Sequence, residues 1–88
     1  MGNSTTYPYS SYIGTYQLGD FSMIIARDGD RLFARIRDQR IPLSAESARD
    51  FVFKGSDTQV IFETDGNGLA KELILRESGT DAYLNRIK

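Results

Sequence analysis

The chain has 88 residues with 11 basic and 12 acidic side chains, so its net charge of -1 supplies no general electrostatic reason to bind nucleic acid. With no cysteine and no histidine, the sequence excludes a disulfide framework, a zinc-thiolate site, the usual general base and the commonest metal ligand. The length suits one domain with a modest core, and no apolar run approaches the ~20 residues of a membrane span.

The opening "MGNSTT" fits the N-myristoylation pattern through Gly2 and Thr6, and Asn3-Ser4-Thr5 is a glycosylation sequon. Both patterns are short and common by chance, and Met1-Gly2 reads equally as a cloning remnant. Residues 1–10, rich in Ser, Thr and Tyr, read as a flexible arm. From Ser11 onward no helical period is sustained. Short alternating apolar runs are instead separated by glycine-containing turns, the pattern of an all-β sandwich or barrel.

The first run places Tyr12, Gly14, Tyr16 and Leu18 on one face. Gly14 weakens a strand by roughly 0.5–1 kcal/mol relative to alanine. A missing side chain there permits a bulge, the passage of a neighbouring ring across the backbone, or a backbone contact to a ligand. A turn at Gly19-Asp20 sets Leu18 opposite Phe21 and Tyr16 opposite Met23. A two-residue turn at Asp28-Gly29, where positive φ is favoured, sets Ile25 opposite Leu32, Met23 opposite Ala34 and Phe21 opposite Ile36. On the other face the same turn sets Ile24 opposite Phe33.

Ile41 and Leu43 continue the inward pattern, and "SAESARD" (Ser44 to Asp50) reads as a wide loop or one helical turn. Gly55-Ser56 pairs Phe53 with Thr58 and Phe51 with Val60. A four-residue loop at Asp65 to Gly68 sets Val60 opposite Leu73. Ser78-Gly79 pairs Leu75 with Ala82 and Leu73 with Leu84. The inward set is therefore Tyr12, Gly14, Tyr16, Leu18, Phe21, Met23, Ile25, Leu32, Ala34, Ile36, Ile41, Leu43, Phe51, Phe53, Thr58, Val60, Phe62, Leu73, Leu75, Ala82 and Leu84. Separate turns assign each shared strand the same inward face, which predicts an all-β, antiparallel up-and-down meander of about eight short strands over residues 11–88. Eight such strands close, or nearly close, into a small lipocalin-like barrel whose interior side chains fill, and closure removes exposed edges.

Chemistry is sparse. No serine is followed three residues later by lysine, so the S-x-x-K signature is absent; Tyr83-Leu84-Asn85 reads as Y-x-N but lacks its serine. The carboxylate pairs Asp28 with Asp30 and Glu63 with Asp65 sit in or beside turns, where aspartate caps its own backbone. Neither completes a calcium loop, and Gly66-Asn67-Gly68 opens no helix that would cradle phosphate. No catalytic residue, metal site or cofactor is expected. The candidate partner surface is the outward face of the second and third strands, with Ile24, Arg31, Phe33, Arg35 and Arg37. Arginine beside an exposed aromatic is a composition enriched at interfaces; the plainer alternative is a solvated face whose arginines pair with Asp28, Asp30 and Asp38.

Taken together, "YIGTYQL", "DGDRLFARI", "IPL", "DFVFKGSDTQVIFETDGNG" and the closing "NRIK" resemble a known module. It is the domain of unknown function found after the catalytic domain of many serine β-lactamase-like, penicillin-binding-protein-like hydrolases. The resemblance runs from Ser11 to Lys88 and rests on Tyr12, Gly14 and Tyr16, on Gly29, Asp30 and Leu32, and on Phe62 before a glycine loop. It implies a non-catalytic β-rich appendage of secreted or periplasmic bacterial enzymes that packs on, or assists, a hydrolase domain of the same parent protein. This chain holds no hydrolase domain, and the family assigns the module no catalytic residues. The alternative is a small lipocalin-like barrel that binds an apolar ligand, against which the bulk of the inward aromatic side chains argues.

Overall fold

A computed structural model describes residues 11–29, 31–47 and 49–88. The arm, the myristoylation pattern and the sequon of residues 1–10 lie outside the described residues, as does Asp30. The eight strands are β1 Gly14–Leu18, β2 Phe21–Asp28, β3 Arg31–Ile36, β4 Gln39–Ala45, β5 Asp50–Phe53, β6 Gln59–Thr64, β7 Ala70–Glu77 and β8 Thr80–Arg86. Each pairs antiparallel with the next, and β8 returns to β1, giving a closed barrel in sequence order. The all-β meander therefore holds, and so does its closure.

Alternation positions the core. Tyr16, Met23, Ile25, Ala34, Val60, Phe62, Leu73 and Leu84 are completely buried, with Leu32, Phe51 and Tyr12 close behind. The predicted pairs Leu18 with Phe21, Phe51 with Val60, Leu75 with Ala82 and Leu73 with Leu84 are all present. Leu18 departs from the inward set: it stands at the barrel rim and is 46% exposed.

Two registers differ from the sequence expectation. Asp28 pairs with Arg31 and Ile25 with Ala34, so Ile25 does not face Leu32. The turn lies one residue later than expected, with Gly29 at φ 68° and Asp28 kept in the strand. Gly29 takes a left-handed conformation that glycine adopts without strain, and a pairing shift of two residues leaves the inward face unchanged. In the second case Val60 faces Leu75, and Phe62 faces Leu73. The β6–β7 connection is longer than four residues: a bulge at Glu63/Thr64 pairs Thr64 with Ala70. Asp65 Oδ1 accepts from the backbone N–H groups of Asn67 (2.7 Å) and Leu69 (3.1 Å), closing a five-residue loop. The Ser44–Asp50 connection contains bends and, among its described residues, no helical turn.

The barrel has two unlike ends. Odd-numbered hairpin turns (β1–β2, β3–β4, β5–β6, β7–β8) gather at one, and Phe21, Ile36, Ile41, Leu75 and Ala82 near it are only partly buried. The other is sealed by Tyr12, stacked on Phe62 at 4.3 Å between ring centroids, with Phe51 edge-on to Phe62 at 5.5 Å. Such ring pairs contribute about 0.5–1.5 kcal/mol each beyond the area they bury.

Gly14 belongs to this seal. It faces Ile25, as expected, and what crosses it is not an aromatic ring. The Arg86 guanidinium lies there, with Nε 2.8 Å from where a Cβ would stand, and the Lys88 carbonyl oxygen is closer still. Arg86 donates through Nη2 to the Ile13 carbonyl (2.8 Å), through Nε to that of Lys88 (3.0 Å) and through Nη1 to that of Ala70 (3.2 Å). One side chain thus ties together the segment before β1, the start of β7 and the end of β8 through charge-assisted bonds to their carbonyls, that of Lys88 also accepting from the Thr15 N–H. Beneath it, the buried Tyr16 hydroxyl donates to the Tyr12 carbonyl at 2.7 Å. Burial pushes the Tyr16 pKa up to about 12, partly offset by the Arg86 charge.

Candidate interaction surface

The outward residues of β2, β3 and β4 form rows across the sheet. Ala26, Phe33 and Pro42 lie side by side in one apolar row. Toward the turn end runs a second row, Ile24, Arg35 and Arg40; toward the sealed end Asp28 faces Arg31. Ile24 is therefore beside Arg35 and one row from Phe33, because the later turn moved the pairing by two residues. Both remain on the outward face, Ile24 exposed and Phe33 half-buried.

Phe33 owes its partial burial to Arg40, whose guanidinium carbon lies 4.0 Å from the ring centroid. The same guanidinium donates to Asp28 Oδ2 at 2.9 Å. Cation–π contacts at exposed sites contribute about 0.5–1 kcal/mol, and an exposed ion pair adds little in high dielectric. Their joint effect is to hold the Arg40 guanidinium over the ring of Phe33, which stays half-exposed. A shallow recess of about 180 Å³ beside it is lined by Asp28, Arg31, Phe33, Arg40, Pro42 and Lys54, among others. Arg31, Arg35, Arg40 and Lys54 thus surround an aromatic centre with Asp28 as the acid built into the recess.

Arg37 is not part of this surface. It occupies the β3–β4 turn at φ 56°, a left-handed conformation that costs a non-glycine residue energy, and it borders recesses at the turn end with Phe21 and Ile36. Asp28, expected to pair with the arginines of this face, pairs instead with Arg40, which was not among them. Sequence reasoning missed Arg40, Pro42 and Lys54. Their signal was present: with Ile41 and Leu43 inward, Arg40 and Pro42 must face outward beside β3.

Comparison of the chain with known protein families, with curated proteins and with solved structures finds no match to any of them.

Proposed function

We propose that this chain is a non-catalytic accessory domain of a β-lactamase-related serine hydrolase, and that it docks on the catalytic domain through the outward face of β2–β4. The carrying observation is the Ala26–Phe33–Pro42 row, with Arg40 laid over the ring and further arginines around it. Aromatic and arginine side chains dominate the energetic centres of interfaces, and Arg40 moved aside would leave Phe33 free to enter a partner's pocket. The residue-level resemblance from Ser11 to Lys88 supplies the identity of that partner. The reading is tested by the reading frame around this segment: an upstream domain carrying S-x-x-K is expected, and a short complete gene would overturn it. In such a parent protein, Phe33→Glu should expose the interdomain linker to limited proteolysis.

A second reading, a barrel that binds an apolar ligand, is favoured by the turn end. There Phe21 and Ile36 are incompletely covered and line a recess of about 480 Å³ with Arg37, Asp38 and Gln39. Titration with a medium-chain fatty acid, followed through the NMR signals of Phe21 and Ile36, separates the two; saturable shifts confined to that end would favour the ligand reading.

A further inference from the structure

Opposite the basic face, four strands further round the closed barrel, the outward residues of β6, β7 and β8 repeat its plan, with glutamates in place of the arginine pair and the Arg76–Asp81 ion pair (2.8 Å) toward the turn end. Ile61, Ile74 and Tyr83 lie side by side in an apolar row, and Tyr83 is 50% exposed. Toward the sealed end, Glu63 pairs directly with Glu72. Across the barrel, Arg35 pairs directly with Arg40. Like charges set directly opposite on neighbouring strands destabilise a sheet. Arg40 is relieved by Asp28, whereas Arg35, Glu63 and Glu72 form no ion pair among the described residues. The fold thus sets like-charge pairs of opposite sign on two opposite faces, each beside an apolar row: the arginine pair is relieved on one side by Asp28, the glutamate pair on neither.

We infer that copies of this chain associate head to tail, the basic β2–β4 face of one on the acidic β6–β8 face of the next. The apolar rows meet, and Arg35 and Arg40 lie over Glu63 and Glu72. The arginine row is displaced from its apolar row toward the turn end, and the glutamate row toward the sealed end. The two overlap only when neighbouring barrels run antiparallel. Because the contact joins different faces, it does not close on itself and extends with concentration. The contact occupies the same β2–β4 face that is proposed to dock on a hydrolase domain, so the two compete for it, and association of this chain alone reads the inference without that reading.

Sedimentation velocity across a wide concentration range, at about 20 mM and about 300 mM salt, tests it, because the higher salt shortens the screening length several-fold. The expected result is a weight-average mass that rises with concentration at low salt and an association constant about 10-fold or more smaller at high salt. Glu72→Lys and Arg35→Glu should each abolish the rise, and an equimolar mixture of the two variants should restore association as far as a one-to-one pair, since each then offers the face the other lacks. Glu72→Lys replaces a like-charge pair with an opposite one, so its unfolding midpoint should match or exceed that of the parent sequence, which separates lost association from lost fold. A monomer at every concentration in low salt overturns the inference. So does association that ignores salt and both reversals, or a mixture no more associated than its components.

Discussion

Gly14→Ala is the sharpest probe of how the barrel is sealed. The added methyl carbon stands 2.8 Å from Arg86 Nε and closer still to the Lys88 carbonyl oxygen. A side chain alone yielding is not enough, because the nearer obstacle is backbone. The end of the chain must therefore move away from β1, weakening the Thr15 N–H to Lys88 carbonyl bond (3.3 Å) and the Arg86 bonds to Lys88 and Ile13. Forcing a group into filled space costs about 1–3 kcal/mol, and each weakened charge-assisted bond about 1.5–3 kcal/mol if lost outright. Against this, alanine gains roughly 0.5–1 kcal/mol over glycine in a strand. A net loss of about 2–4 kcal/mol is expected, a large part of the 5–15 kcal/mol typical of a domain. Urea unfolding followed by circular dichroism measures it, with the midpoint lowered and the slope unchanged. In an Arg86→Ala background the same glycine substitution should cost markedly less, because part of the obstacle is gone. A Gly14→Ala protein as stable as the parent, or a cost identical in both backgrounds, would refute the account of the seal.

Three further outcomes follow from the same geometry. Tyr16 keeps its proton in the folded state to about pH 12, against an ordinary value of 10; its contribution to stability is whole below pH 10 and is lost as pH rises from 10 through 12. Tyr16 should contribute a loss of about 2–3 kcal/mol to alkaline unfolding over that window, and Tyr16→Phe should remove that share of the dependence. Phe33→Glu should shift the unfolding midpoint of the chain by no more than about 1 kcal/mol, since it removes one exposed cation–π contact; unfolding of the domain would place Phe33 in the core. Nitrocefin, p-nitrophenyl esters and D-amino-acid amides should all turn over at buffer rates, and activity that survives repurification and vanishes with one substitution would contradict a non-catalytic role.

The meander was legible because its glycine turns recur at short intervals and alternation of period two fixes which face is buried. That same period hides certain errors. Turns at Asp28-Gly29 or one residue later bury the same side chains, so periodicity could not choose between Leu32 and Ala34 as the partner of Ile25. Both turns also combine Gly29 with one aspartate, so turn chemistry did not choose between them either. Arg86 was overlooked because a charged residue at inward parity contradicts the apolar pattern, although Leu84 inward places Arg86 on the same face, at the end that Gly14 opens. The acidic face was signalled by Val60-Ile61-Phe62 and Leu73-Ile74-Leu75, continuous apolar runs that put Ile61 and Ile74 outside. An apolar run reads as stronger strand, not as a second surface. The role of the candidate surface was less legible than its location, since Phe33's burial depends on Arg40, which is adjacent only after β4 is paired.

The seam between β1 and β8 has a kinetic consequence. Every other pairing joins neighbours in the chain, whereas Arg86 must find Ile13 across 73 residues. Closing a loop of that length carries an entropic cost of about 4 kcal/mol plus a constant, whereas the hairpins close over far shorter stretches. The order of events that minimises this cost forms the hairpins first and the seam last. Substitutions at Arg86 would then hasten unfolding while leaving the folding rate nearly untouched. The guanidinium that joins the two ends of the sheet would act as the clasp that sets the lifetime of the native state.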